Sequence, residues 1–281
     1  MSYLIADSGA TKTDWLYVEG TDTTHVKTQG LHPSNISEME DFEEISAQLN
    51  MLNPDRIYFF GAGCGNPVSD EIVQRFLTPI FPRAKITIKS DLEGSGRAFF
   101  GKGDGIVAVL GTGAISARIK GGKVFKKSAS LGFAIGDEGS AADLGRRILK
   151  MYFRETCSEN TLEFLQDKLE NVDYPEMMNR IYRAGKPNRE LASIAGIVLK
   201  KPLPDELGTL IYDAFHEFIK HQLSALTPKE DEEIIFTGKV AKVHKDILLP
   251  LLSEYGYNNT HIYYPVIATF RDRIKNGEIL F

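Results

Sequence analysis

Two stretches of this chain follow one plan. "YLIADSGATKTDWLYVEG" from Tyr3 and "GIVAVLGTGAISARIK" from Gly105 each read as an apolar strand, a small-residue turn and a second strand. They lie about a hundred residues apart and are the best candidate for an internal repeat. A repeat of this kind points to two related half-molecules. Between and after them strands alternate with helices. "MEDFEEISAQLNML" places Phe42, Ile45, Leu49 and Leu52 on one helical face. "RIYFFGAGCGN" reads as a buried strand ending in a glycine turn, "PVSDEIVQRFLTPIF" as a helix and "AKITIKSD" as a strand. "LEGSGRAFFG" reads as a short helix broken at Gly101. The alternation predicts an α/β protein with a mostly parallel sheet and helices packed on it. From Ala141 to about Lys229 the spacing is mainly helical. "EEIIFTGKVAKVHKDILLPLLSEYG" is strand, glycine turn and helix, and "HIYYPVIATFRDRIKNG" is strand, proline and a last helix. No linker or low-complexity segment separates the halves. The boundary therefore falls at a crossover near Ala114 to Lys120. This gives domains 1–115 and 116–265, with the last helix, about 266–281, expected to pack back on the first.

The 281 residues carry a net charge of −5, which argues against bulk electrostatic binding of nucleic acid. No apolar run approaches the roughly 20 residues of a membrane span. Cys64 and Cys157 stand far apart, with no disulfide framework and no metal-ligand spacing. The first strand begins at Tyr3, leaving no room for a signal peptide. A cytoplasmic protein is expected, with no nucleic-acid or membrane partner. The histidines show no metal pattern. His216 and His221, five apart, turn off a shared helix face and read as surface or interface residues.

The turns invite comparison with phosphate loops. A P-loop needs a Gly-Lys-Ser/Thr run before a helix, and none is present. "GAGCGN" has the wrong spacing for a dinucleotide fingerprint, and "LGTGAIS" leads into a strand. A turn between strands still gathers backbone N–H groups into an anion-binding nest. Thr11 and Thr13 add hydroxyl donors and Lys12 adds charge. Asp7, at the strand end, is placed to hold magnesium through water. Gly and Thr supplying plain hairpin geometry is the competing reading. The second tip, with Gly111, Thr112 and Gly113, favours the first reading, because two such tips facing across a cleft would grip one polyphosphate.

"DSGATKT", "LGTGAIS", "LGFAIGDEGSA" and "FTGKVA" occur in an order that resembles the actin-like ATPase-fold sugar kinases. The chain is most similar to their N-acetylglucosamine kinase branch, which is related to the activator ATPases of benzoyl-CoA reductase and 2-hydroxyacyl-CoA dehydratase. The resemblance spans nearly the whole chain, and "GDEGSA" is its most specific piece. It implies two ribonuclease-H-like domains with ATP, and with it Mg2+, in the cleft between them. It implies a first phosphate loop of Asp7, Gly9, Thr11 and Thr13, a second of Gly111, Thr112 and Gly113, and Gly238 near the adenosine. It also implies a catalytic carboxylate at Asp91, where a strand ends and a short helix begins, to accept a sugar hydroxyl proton. A helix N-cap is the alternative there. By the same resemblance Asn35, Gly132, Phe133 and Asp137 contact the amino sugar. Glu138 is assigned no role.

The pattern departs in places. Ser8 and Ala10 stand where the family often has glycine, and side chains resist positive φ. Ala114 and Ile115 stand where N-acetylglucosamine kinases tend to carry Ser-Asn, and Phe133 replaces the tryptophan of the animal enzyme. The phosphate half is kept and the sugar half altered, so another amino sugar such as N-acetylmuramic acid remains open. The expected function is transfer of the ATP γ-phosphate to an amino sugar. The alternatives are an ATPase switch of the dehydratase-activator type, or a sugar sensor that has lost catalysis. Whether the chain forms a homodimer is left open.

Overall fold

A computed structural model describes residues 2–36, 42–183 and 185–278, apart from the side chain of Asn35. The chain divides into two compact units. One comprises Met1–Gly105, Ile119–Phe125 and Tyr264–Phe281, and the other Ile106–Arg118 and Lys126–Tyr263.

The first unit is built on strands β1 (Ser2–Ser8), β2 (Lys12–Glu19), β3 (Asp22–Gln29), β4 (Arg56–Gly61) and β5 (Lys85–Ser90). Their order is β3-β2-β1-β4-β5. β1, β2 and β3 pair antiparallel, while β1, β4 and β5 pair parallel. The sheet is therefore mixed rather than mostly parallel. Its helices are α1 (Pro33–Ile36), α2 (Phe42–Leu49), α3 (Pro67–Ile80) and α4 (Asp91–Phe100). Successive strand side chains point to opposite faces, and the apolar residues divide accordingly. Leu4, Ala6, Trp15 and Phe59 pack with Ile45, Leu49, Val73 and Leu77 of α2 and α3. Ile5, Leu16, Val18 and Phe60 face the other way, onto Ala98 of α4.

The second sheet is formed by β6 (Gly105–Leu110), β7 (Ala114–Lys120), β8 (Lys123–Lys127), β9 (Ile234–Thr237) and β10 (Thr260–Ile262), of which Gly105 and the Ile119–Phe125 stretch of β7 and β8 group with the first unit. Their order is β10-β9-β6-β7-β8. Read from its other edge, this is the order of the first sheet. β6 pairs parallel with β9, as β1 does with β4, and β9 pairs parallel with β10. The two hairpins thus head two copies of one topology.

Helices α5 (Gly132–Ile135), α6 (Ala141–Arg154), α7 (Glu159–Lys168), α8 (Tyr174–Arg183), α9 (Pro187–Val198) and α10 (Asp205–Phe218) follow β8. α11 (Lys239–Val243) and α12 (Lys245–Glu254) follow β9, so the single helix expected there breaks at His244. Leu207, Leu210, Ile211, Ala214, Phe215 and Phe218 recur three and four apart along α10 and form its buried stripe. The last helix, α13 (Val266–Lys275), returns to the first unit. There Phe270 is fully buried and stacks on Phe60, with ring centroids 5.6 Å apart. Among the described residues no helix is long and apolar enough to cross a membrane.

Candidate active site

The first hairpin tip is held from inside. Gly9 N–H donates to Lys12 O at 2.9 Å and closes the turn. Ser8 and Thr13 are buried, and their hydroxyls lie 2.8 Å apart. The Thr13 hydroxyl donates to Gln29 O at 3.2 Å, and both oxygens lie within reach of Leu31 N–H. Thr13 thus spends its hydroxyl shaping the tip, whereas Thr11 is exposed there. Gly30 N–H donates to Thr11 O at 3.1 Å. A side chain on Gly30 would come within 2.4 Å of Gly9 O, so β3 lies against the turn only because that position is glycine. None of residues 8–13 has a positive φ. The turn therefore accommodates Ser8 and Ala10 without strain, and Ser8 contributes an internal bond that glycine would lack.

Two carboxylates meet at the carboxyl edge of the parallel strands, where α/β folds gather ligands. Asp7 stands one residue before the end of β1. Asp91 follows β5 as the first residue of α4. Ser90 caps that helix, its Oγ accepting from Glu93 N–H at 3.3 Å. The capping role that competed for Asp91 is therefore taken by its neighbour. Asp91 Oδ1 accepts from Leu92 N–H at 2.9 Å. Burial, then the charges of Asp91 and Asp14, push the half-buried Asp7 carboxyl up to about 7. Lys12 opposes this shift, but its ammonium is bound to buried Asp14 at 2.5 Å and lies 5.4 Å from the centre of the Tyr264 ring. His25 Nε2 lies 3.1 Å from the other Asp14 oxygen. Among the described residues no group of three His, Cys, Asp or Glu side chains is placed to hold a metal alone. Magnesium keeps several waters and takes phosphate oxygens, so one or two carboxylates suffice. The crowded anionic pair of Asp7 and Asp91 fits such an ion.

The second tip is equally tight. Gly111 N–H donates to Gly113 O at 3.0 Å, and the carbonyls of Gly111 and Thr112 accept from Ala141 and Ala142 at the start of α6. Ser140 caps α6, its Oγ accepting from Asp143 N–H at 3.1 Å. Asp137 has φ +55°, a left-handed conformation uncommon for residues with a side chain. A Cβ on Gly113 would lie 3.0 Å from Asp137 Oδ2. Burial raises the Asp137 carboxyl, against a lowering hydrogen bond from Ala114 N–H. Gly238, between β9 and α11, has φ +104°, and a Cβ there would come within 2.2 Å of Leu110 O. Its lack of a side chain lets the "FTGKVA" turn rest on the backbone leading into Gly111. A Cβ at Gly111 itself would meet nothing nearer than 4.0 Å. That opening beside three glycines suits a phosphate chain.

Gly132, with φ +70°, starts α5. Phe133 is half-buried and packs against the core of the second unit. Arg146 binds the carbonyls of Phe133 and Ala134 at 3.3 and 3.0 Å and pairs with Asp143 at 2.7 Å. Asn35 falls in α1, and its side chain lies outside the described residues. Asp7, Gly9, Thr11, Lys12, Thr13 and Asp91 belong to the first unit. Gly111, Thr112, Gly113, Gly132, Phe133, Asp137 and Gly238 belong to the second. The internal supports Ser8, Ser90 and Ser140 were legible only as serines beside turns and helix starts.

A crystal structure of a candidate N-acetylglucosamine kinase from Porphyromonas gingivalis superposes with a TM-score of 0.84 at 24% identity, over 99% of this chain and 100% of that one. A second candidate N-acetylglucosamine kinase, from Chromobacterium violaceum, gives 0.72 at 17% identity, over 96% and 97%. The ROK hexokinase of Thermus thermophilus gives 0.50 at 16%, over 93% and 92%. The fold is that of the actin-like ATPases and ROK kinases. In sequence, the chain is 28% identical over 142 residues to an N-acetylmuramic acid/N-acetylglucosamine kinase of Clostridium acetobutylicum. That match takes in 49% of this chain and spans about half, 46%, of the relative's length. No protein-family model matches.

Proposed function

We propose that this chain is an ATP-dependent kinase that phosphorylates a hydroxyl of an amino sugar of the N-acetylglucosamine class. The observation that carries the reading is Asp91. It stands at the carboxyl edge of the sheet beside Asp7, one residue after the N-cap Ser90, with its Oδ1 accepting from Leu92 N–H. The fold supports the reading, as does the sequence similarity to a kinase of N-acetylmuramic acid and N-acetylglucosamine.

The chemistry divides among the residues as follows. Asp91 accepts the proton of the sugar hydroxyl as its oxygen attacks the γ-phosphorus. The new O–P bond forms while the bond to the ADP oxygen breaks. Gly9 and Thr11 of the first tip hold phosphate oxygens, with Thr13 keeping the tip in shape. Lys12 adds positive charge to the same tip. Gly111, Thr112 and Gly113 are likewise assigned to phosphate oxygens, with Gly238 giving the nucleotide close approach. Asp7 would hold magnesium through water, and the ion when bound neutralises charge building on the phosphoryl oxygens. Asp137 contacts the sugar, and Asn35, Gly132 and Phe133 belong to the same assignment. Ala114 and Ile115 leave N-acetylmuramic acid a candidate acceptor beside N-acetylglucosamine. A cluster-bridging switch gains no support from Cys64, whose half-buried thiol is pushed up to about 12 by burial and by Asp70 and Asp91.

The test is a coupled assay of ADP release with magnesium-ATP and a sugar panel. The panel holds N-acetylglucosamine, N-acetylmannosamine, N-acetylmuramic acid, glucosamine and glucose. Stimulation by an N-acetylated amino sugar well above glucose is the expected result. Stimulation by none of the five contradicts the proposal.

A further inference from the structure

After α10 the helix continues as a single π-helical turn, Ile219–Leu223, and a 3-10 turn, Ser224–Leu226. Such inserted turns change which side chains face inward and are frequent at functional sites. This one turns Gln222 into the interior, where it is 4% exposed. Its Nε2 donates to Glu138 Oε2 at 2.8 Å. Its Oε1 lies 3.3 Å from the Ser128 hydroxyl, which also reaches Ser116 O at 3.2 Å. The Gln222 carbonyl accepts from the Ser116 hydroxyl at 3.0 Å. Ser116 N–H donates to Ser128 Oγ at 3.1 Å, and Ser128 N–H to Ser116 O at 2.9 Å. Gln222 thus joins β7 through its backbone carbonyl, and the segment after β8 and Glu138 through its carboxamide.

Glu138 follows Asp137, the residue held in the left-handed conformation beside Gly113. Backbone geometry of this kind costs free energy and persists only when neighbours enforce it. Gly139 N–H donates to Asp143 Oδ2 at 3.1 Å, and Ser140 N–H to Asp137 O at 3.0 Å, fixing the loop on its α6 side. The Glu138–Gln222 bond fixes it on the β7 side. A hydrogen bond to a carboxylate belongs to the stronger class, and losing it would leave the carboxylate without this donor in a partly buried setting.

We propose that Gln222 is a positioning residue, which sets the Asp137 carboxylate for the sugar by holding Glu138. This rests on the kinase reading above. The test uses the whole chain with N-acetylglucosamine as probe. Gln222→Met keeps the bulk and removes the amide. It is expected to raise the sugar KM on the order of tenfold while the ATP KM stays within about twofold. Glu138→Ala does the same, and Glu138→Gln, which keeps an acceptor oxygen, restores the wild-type value. The double variant Gln222→Met, Glu138→Ala is no worse than either single, as expected for partners in one bond. Amide hydrogen exchange across residues 136–140 quickens in Gln222→Met and Glu138→Ala but not in Glu138→Gln. Unchanged sugar KM and exchange in Gln222→Met, or additive losses in the double variant, overturn the proposal. Should Gln222→Met fail to fold, Glu138→Ala against Glu138→Gln decides. Should wild type show no sugar-stimulated ADP release, the kinase reading falls, and the exchange rates still decide whether Gln222 holds the loop.

Discussion

Asp7 is costly to the fold as it stands. Its carboxyl is pushed from 3.8 to about 7, by burial first and then by Asp91 and Asp14. A carboxyl raised on folding binds more protons in the native state than in the unfolded state between those two values. Its contribution therefore weakens as pH rises from about 4 through 7. Asp7→Asn should then melt higher than wild type at pH 8 without divalent cation, by a few degrees, and lose that advantage near pH 4. Calorimetry at both pH values checks this, and a lower melting temperature for the variant at pH 8 would contradict it. Not all of this was legible in the residues. "DSGATKT" exposes its acid, glycine and hydroxyls as letters, but only packing separates Thr11, exposed at the tip, from Thr13, locked to Ser8 and Gln29. Ser8 and Ala10 read as departures because glycine turns commonly use positive φ, yet this turn uses none.

Among the elements, strands with an apolar core face were easy to place, and β3 was not. "DTTHVKTQ" has Val26 as its one aliphatic residue and lies at a sheet edge with half of its residues exposed, so period-two alternation is faint. It is fixed by tertiary pairing to β2 across the Gly20 turn and by Trp15 Nε1–H donating to Thr28 Oγ1 at 2.9 Å. The break at His244 was likewise hidden, because "KVAKVHKDILLPLLSE" keeps apolar residues at helical spacing through it. The ends of the motifs were better marked. Ser90 and Ser140 each stand three residues before an acidic residue whose N–H they bond, as helix starts do. The last helix is part of the first unit through Val266, Ile267 and Phe270. Phe270→Ala should destabilise the protein by about 3–5 kcal/mol, the usual cost of emptying a buried Phe site. A urea unfolding curve measures it, and a loss under about 1 kcal/mol would show that the helix adds little to that core.

At the scale of the whole molecule, two hairpins with small-residue tips predicted two related halves, and two sheets of one strand order are what the chain forms. The repeat was visible because each half opens on its most apolar strand pair. The antiparallel pairs were implied by those same hairpins, whose short turns can join only antiparallel strands, while the strand–helix alternation outside them carried the mostly parallel reading. Each half brings one phosphate-loop candidate, and only the first brings the carboxylate pair. That asymmetry places the proposed base, Asp91, at the centre of the account. The most direct test is sugar-stimulated ADP release by Asp91→Asn beside wild type, with ATP binding followed by calorimetry. Turnover is expected to fall by roughly 10²–10⁴ with ATP still bound and the protein still folded. Near-normal turnover would remove Asp91 from the chemistry and contradict the mechanism built on it.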